Sequence, residues 1–167
     1  MKIRKLLAVL LIGSLLSAAC AETMEEEQFP EQNGYVGTLS VIEIGDALFE
    51  QSGVSADYVL DAATGRLDLF LYEVSFSSQM PVKLSVVALQ DVAYSQDGTT
   101  LTISDTDLVP MMEMRGEWVA YDRYVCTDFT GTITPSAMTL SMKLGGFQTD
   151  YRGTAVNNSY SPKNIGE

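Results

Sequence analysis

The sequence predicts an all-β protein that folds as an up-and-down antiparallel β-barrel of about eight strands. Apolar and polar residues alternate with a period of two along most of the chain after residue 33. No segment of that region keeps the 3.6-residue period of an amphipathic helix. An aromatic-x-Gly-Thr motif also recurs three times, and glycine inside a strand is typical of sharp bends. A β-sandwich is the alternative, since strand order cannot be read from these patterns.

The predicted strands follow one another with short connections. In residues 66–76 the alternation places Leu67, Leu69 and Leu71 on one face. Ser95-Gln96-Asp97-Gly98 predicts a hairpin, because Asp-Gly suits the tight primed turns. The predicted strands are residues 35–42, 56–61, 66–76, 81–88, 99–104, 129–133, 138–144 and 148–156.

Residues 105–124 are the least regular part of the chain and predict a long loop or a short helical turn. They hold a group of methionines and aromatic residues. Methionine adapts to varied apolar shapes, so this group is our candidate ligand-binding lid at a barrel mouth. The alternative is that the same side chains plug the barrel end as ordinary core. The candidate residues are Met111, Met112, Met114, Trp118, Tyr121 and Tyr124.

The three repeated motifs predict a strongly coiled sheet that closes on itself. They are Tyr35-Val36-Gly37-Thr38, Phe129-Thr130-Gly131-Thr132 and Tyr151-Arg152-Gly153-Thr154. In a strand the aromatic residue and the glycine point to the same face. An aromatic ring can therefore cover the bare glycine backbone at a bend, as in curved sheets.

Residues 1–19 predict a secretory signal peptide. Three basic residues precede an apolar run that is too short to cross a bilayer, and small residues follow it. Leu15-Leu16-Ser17-Ala18-Ala19-Cys20 resembles a bacterial lipobox, which predicts lipidation of Cys20. Ordinary signal-peptidase cleavage is the alternative. With Cys20 lipidated, Cys126 is a lone buried thiol; otherwise the two cysteines could pair.

The charge balance excludes several partners. The chain carries a formal charge of −12, and loss of the signal, with three basic and no acidic residues, makes this −15. Such a chain is not expected to bind nucleic acid or to dock electrostatically on anionic lipid. Residues 20–33 are acidic and predict a flexible tether, and residues 157–167 predict a polar C-terminal tail.

Histidine is absent from the chain, which excludes His-dependent triads and His-ligated metals. Two acidic positions could carry chemistry, Glu73 and Asp105-Thr106-Asp107. Glu73 lies on the same face as Leu67, Leu69 and Leu71. If that face is interior, the Glu73 carboxyl is buried with a raised pKa and could pair with Arg115 or a ligand. The alternative is that Glu73 lies in solvent at the end of the strand. Asp105-Thr106-Asp107 is either a calcium ligand set or a solvated turn. We expect no catalytic residue, no metal site and no cofactor.

The lipobox, the acidic tether, the first strand Tyr-x-Gly-Thr-Leu and the aromatic-x-Gly-Thr pair near the end resemble the lipocalin-like (calycin-like) β-barrel lipoproteins of Bacteroidetes. Leu69-Phe70-Leu71 followed by Met80-Pro81-Val82 is similar to that family's central segment. The match covers residues 34–154. The resemblance implies an eight-stranded barrel, here residues 34–156, on a lipid-anchored protein of the bacterial outer membrane, exposed at the cell surface.

Three functions remain open from the sequence. A non-enzymatic carrier of a small apolar ligand requires a continuous cavity of several hundred cubic ångströms inside the barrel. A protein-interaction or inhibitor-like module would instead have a filled barrel and an exposed apolar patch. A carboxylate-based enzyme would need a cleft with convergent acids. We expect the carrier.

Overall fold

The computed structural model describes residues 34–114 and 116–156. Within them lie the strands β1 (Tyr35–Ile42), β2 (Leu48–Asp61), β3 (Arg66–Val74), β4 (Leu84–Asp97), β5 (Thr100–Asp105), β6 (Met111–Met114), β7 (Glu117–Ala120), β8 (Cys126–Ile133), β9 (Ala137–Leu144) and β10 (Phe147–Ala155). Eight of them, in the order β1, β2, β3, β4, β5, β8, β9 and β10, form a closed antiparallel barrel in which β10 pairs with β1. The predicted all-β barrel is confirmed.

The segment predicted to be irregular contains a β-hairpin. Strands β6 and β7 pair with each other, and β6 attaches to the first half of β4 through Val87 opposite Met112. The second half of β4 pairs with β5 instead. A 3-10 turn at Asp122–Tyr124 follows, so the segment does contain a short helical turn, but neither alternative predicted the hairpin that makes up most of its regular structure. Strands of four residues are too short to show a clear alternation.

Strand β2 begins at Leu48, eight residues before the predicted start. Gly37 of β1 lies opposite Val54 but Thr38 lies opposite Ser52, so Gly53 forms a bulge, with φ of +73°. A bulge shifts the alternation by one residue, and the polar residues before it hide the strand in the sequence.

Side chains fill the barrel interior in the pattern that the alternation predicts. Leu67, Leu69 and Leu71 are buried, as expected. The largest fully buried side chains are Tyr151, Phe129, Leu39, Leu67, Leu69, Leu71, Leu89, Ile103, Ile133, Met138, Met142 and Val41. Two tyrosines bring polar groups inside and satisfy them on backbone carbonyls. The Tyr35 hydroxyl donates to Thr134 O at 2.7 Å, and the Tyr151 hydroxyl donates to Val54 O at 3.2 Å.

Glu73 breaks the alternation of β3 at its end. Its φ is +51°, and this local kink turns Val74 into the core while Glu73 faces solvent. The solvated alternative for Glu73 is therefore confirmed, and the predicted continuation of the inward face through Glu73 is wrong. A positive φ in a non-glycine residue cannot be foreseen from an apolar pattern.

The signal peptide, Cys20, the acidic tether, Arg115 and the C-terminal tail lie outside the described residues. In the described part, no helix has the length and apolarity needed to cross a membrane.

Candidate functional site

One end of the barrel, which we call the mouth, carries the longer connections. The β1–β2 loop (residues 43–47), the β3–β4 loop (residues 75–83) and the β5–β8 connection (residues 106–125), which contains the β6–β7 hairpin, lie there. The two-residue β9–β10 turn (residues 145–146) lies at the same end. The connections at the opposite end are shorter turns, at residues 62–65, 98–99 and 134–136. Because loops on a rigid scaffold commonly carry binding residues, the mouth is where a site is expected.

A pocket of about 300 Å³ opens at the mouth. Its floor is made by inward-facing residues that are buried in the barrel: Val41, Leu144 and Thr149. Its lining residues are Val41, Glu43, Ile44, Phe76, Ser77, Gln79, Met80, Tyr124, Leu144, Phe147 and Thr149. Apolar walls with a few polar groups are the usual composition of a small-molecule site, and the volume lies at the lower end of the range for such sites.

Glu43 ties the β1–β2 loop to the β3–β4 loop. Its Oε1 accepts a hydrogen bond from the Ser78 backbone N–H at 2.7 Å, and its Oε2 accepts one from the Ser78 hydroxyl at 3.1 Å. The Ser77 hydroxyl, and then the Ser78 amide, hold the pKa of Glu43 below its ordinary value of 4.5. Glu43 is therefore an ionised latch between loops rather than a proton donor.

The β3–β4 loop is folded on itself beside the pocket. The Phe76 backbone N–H lies 3.1 Å from the Met80 sulfur, and the Met80 N–H donates to Ser77 O at 3.2 Å. This compact turn holds the Phe76 and Met80 side chains at the pocket wall. A flexible thioether beside an aromatic ring makes a wall that adapts to the shape of its contents.

The six residues of the predicted lid divide between different places. Tyr124 lines the pocket, and its ring stacks on Tyr121 with centroids 5.3 Å apart. Met112 is buried in the core. Met111 and Met114 lie in β6 and Trp118 in β7, and Met111, Trp118 and Tyr121 are not among the residues that line this pocket.

Most of the pocket residues come from the β1–β2 and β3–β4 loops, which the sequence did not single out. A usable signal was present in Phe76-Ser77-Ser78-Gln79-Met80, where an aromatic residue and a methionine flank three polar residues between strands. The contact between this loop and the β1–β2 loop could not be predicted from the sequence, because it depends on closure of the barrel.

No protein-family model, curated protein or solved structure matches this chain. The resemblance to the lipocalin-like lipoproteins of Bacteroidetes therefore stays a prediction. The eight-stranded barrel itself follows from the strand pairing alone.

The remaining sequence candidates have structural partners. Asp105 Oδ2 accepts hydrogen bonds from the Ala93 N–H at 2.7 Å and from Arg66 Nη1 at 3.4 Å, and its Oδ1 accepts one from the Thr106 N–H. Within the described ranges no cluster of three or more acidic or cysteine side chains suits a metal ion. Cys126 is a free, fully buried thiol whose pKa is raised to about 12, by burial first and then by the charge of Asp105.

Proposed function

We propose that this protein is a non-enzymatic carrier that binds one small apolar ligand at the mouth of its barrel. The observation that carries the proposal is the pocket of about 300 Å³ between the β1–β2 loop, the β3–β4 loop and the barrel floor. Phe76, Met80 and Phe147 supply the apolar surface that such a ligand would cover. Burial of this surface provides the driving force for binding.

The polar groups of the pocket fit a binding role. Thr149 is fully buried, and its hydroxyl donates to Phe147 O at 3.2 Å, so it belongs to the floor of the pocket with its hydrogen bond already made. Glu43 is the acidic residue among those that line the pocket, and its lowered pKa favours the charged form at neutral pH. A glycosidase needs two carboxyl groups that act as acid and base or nucleophile. This pocket has one ionised carboxylate, which is already bonded to Ser78, and this supports a binding protein over an enzyme.

The place of action that we propose is the outer membrane, with the protein anchored through a lipidated Cys20 and exposed at the cell surface. The lipobox-like sequence before Cys20, the acidic tether and the resemblance described above support this proposal. The strongly acidic chain provides no electrostatic route to anionic lipid or nucleic acid, so the lipid would be the membrane contact.

The anchor is tested by Cys20→Ser in the full chain. We expect the variant to lose labelling by a palmitate analogue and to move to the soluble periplasmic fraction. Membrane association that is unchanged in the variant would contradict the anchor.

The ligand site is tested with N-phenyl-1-naphthylamine, an apolar probe that fluoresces on burial. We expect saturable binding that weakens at least about tenfold in Gln79→Trp, because a bulky ring on this exposed loop residue fills the pocket without disturbing the core. Gln96→Trp, in the β4–β5 hairpin at the opposite end, is the matched control and should bind normally. Equal binding by both variants would place the probe elsewhere and overturn this site.

A protein-interaction module is the second candidate, and two observations favour it: side chains fill the barrel interior, and apolar residues are exposed at the mouth. Ile44 is 86% exposed, Leu48 63% and Val82 73%, and all three lie in or beside the mouth loops. A contiguous exposed apolar patch marks an interaction surface. Failure of a broad panel of apolar probes to bind, together with loss of a cell-surface partner in Ile44→Asp but not in Val119→Asp, would favour this module over the carrier.

A further inference from the structure

The mouth pocket carries one charged group. Among the described residues that line it, Glu43 is the one whose side chain is charged at neutral pH, and the others are apolar, aromatic or neutral polar. Glu43 belongs to the β1–β2 loop, whereas the floor of the pocket is made by the buried side chains of Val41, Leu144 and Thr149. A ligand that rests on this floor therefore has its outer end near a carboxylate.

The hydrogen bonds of Glu43 fix its carboxylate without neutralising its charge. The Ser78 backbone N–H donates to Oε1 at 2.7 Å, and the Ser78 hydroxyl donates to Oε2 at 3.1 Å. Together with the Ser77 hydroxyl these are neutral donors, and they hold the pKa of Glu43 below its ordinary value. A carboxylate can accept about four hydrogen bonds, so this group stays an anion that has room for a further donor.

Glu43 has no cationic side chain as a partner within the described ranges. The ion pairs found there join Arg66 and Lys143 to other acids. Lys83 of the β3–β4 loop is exposed and is not among the residues that line the pocket. An anion without a counter-charge beside an apolar surface attracts a positively charged ligand and repels a negatively charged one.

The charge of the whole chain acts in the same direction. The full sequence carries a formal charge of −12. At the mouth, Asp46 lies in the same loop as Glu43, and Glu50 lies near the start of β2. A field of one sign raises the local concentration of ligands of the opposite sign. A fatty-acid-like anion is therefore repelled both at a distance and inside the pocket.

The walls of the pocket suit an organic cation better than a metal ion. Phe76 and Phe147 line the pocket, and aromatic faces attract ammonium groups. Met80 adds apolar surface that a carbon chain can cover. In the part of the chain that the structure describes, no cluster of three or more acidic or cysteine side chains could hold a metal ion.

We propose that the mouth pocket prefers an apolar ligand that carries one ammonium group, and that Glu43 determines this preference. This inference rests on the proposed carrier function and names the class of its ligand. The ammonium group forms a charge-assisted hydrogen bond with the Glu43 carboxylate, while the hydrocarbon part covers Phe76, Met80 and Phe147.

The test is displacement of bound N-phenyl-1-naphthylamine at pH 7 by three compounds of equal chain length: decylammonium, decanol and decanoate. We expect decylammonium to bind at least about threefold tighter than decanol and at least about tenfold tighter than decanoate. If the probe binds and the three compounds displace it equally, the carrier function stands and the charge preference is wrong. If the probe does not bind, the carrier function fails, and the preference fails with it.

Glu43→Gln removes the charge and should bring the affinity ratio of decylammonium to decanol to about one. Loss of the loop latch alone would weaken all three compounds alike and leave this ratio unchanged. Glu50→Gln makes the same charge change at an exposed position that does not line the pocket, and it should keep the wild-type ratio.

Gln79→Lys keeps the test decisive even if Glu43→Gln folds poorly. It places a cation on an exposed lining residue and leaves Glu43 and its Ser78 bonds in place, so it should also abolish the preference for the amine. A wild-type ratio in both Glu43→Gln and Gln79→Lys, or an equal loss of the ratio in Glu50→Gln, would overturn the role of Glu43.

Discussion

Gly37 of β1 lies directly opposite Gly153 of β10, and a Cβ on Gly37 would come within 2.5 Å of the Gly153 Cα. The carbonyl of Arg152 would be closer still. The first and last barrel strands therefore approach each other more tightly than any side chain allows. Two of the three aromatic-x-Gly-Thr motifs meet at the seam that closes the barrel.

The aromatic covering predicted for these motifs holds at one glycine. The Tyr151 ring lies over Gly153, where an added Cβ would be 2.8 Å from the ring carbon Cζ. Gly131 is instead packed against the neighbouring strand, where an added Cβ would be 2.7 Å from Thr139 O. The glycines are therefore required mainly for close backbone approach, and the ring at Gly153 is an additional contact.

Gly37→Ala should destabilise the fold by about 3 kcal/mol, because the new methyl group meets rigid backbone of β10. Gly34→Ala is the matched control, since its Cβ would meet Ala56 O at an ordinary 3.6 Å. Urea denaturation of both variants checks this prediction. A Gly37→Ala midpoint equal to that of Gly34→Ala would show that the seam can relax at little cost.

Removal of the Glu43 latch should loosen the β3–β4 loop. Hydrogen exchange of the Ser78 amide is the measurement, and we expect faster exchange in Glu43→Ala than in the control Glu50→Ala. Folding lowers the pKa of Glu43 below 4.5. The stabilisation from the latch is therefore fully present above pH 4.5 and is lost as the pH falls through the lowered pKa. Ser78 protection that is the same in Glu43→Ala as in the wild type would contradict the latch.

Asp57→Asn should stabilise the ligand-free protein at neutral pH. Burial raises the pKa of Asp57 above its ordinary 3.8, so the folded state holds this proton more tightly than the unfolded state. The contribution of Asp57 is therefore favourable below pH 3.8 and is lost as pH rises through the raised pKa. The difference in unfolding free energy between variant and wild type should be smallest near pH 3 and grow towards pH 7. If the difference in unfolding free energy between Asp57→Asn and the wild type became smaller as the pH rises, the pKa of Asp57 would be lowered rather than raised by folding.

The Cys126 thiol should be inert in the folded protein. With its pKa at about 12, it holds roughly a thousandfold less thiolate at pH 8 than an exposed cysteine. A mature chain with Cys20→Ser isolates this thiol, and its reaction with a disulfide reagent should become rapid only in denaturant. Rapid labelling under native conditions would show that β8 opens readily near its first residue.

The strands that could be predicted from the sequence are those with one face fully inside the barrel. Strand β9, with Met138, Leu140, Met142 and Leu144 buried, is the clearest example. The start of β2 and the β6–β7 hairpin were missed because a bulge at Gly53 and very short strands interrupt the alternation. Of the six predicted lid residues, Tyr124 lines the mouth pocket, while Met112 is core.

The all-β class, the inward faces and the places where strands must bend could be predicted from the residues alone, because side-chain alternation and glycine act locally along the chain. Strand pairing was needed to show which loops share the mouth and that Asp57 lies beside a groove next to Val156. These contacts join residues far apart in the chain, such as Glu43 with Ser78. Their physical origin is the register of barrel closure between β1 and β10, since a closed sheet brings distant connections to one rim.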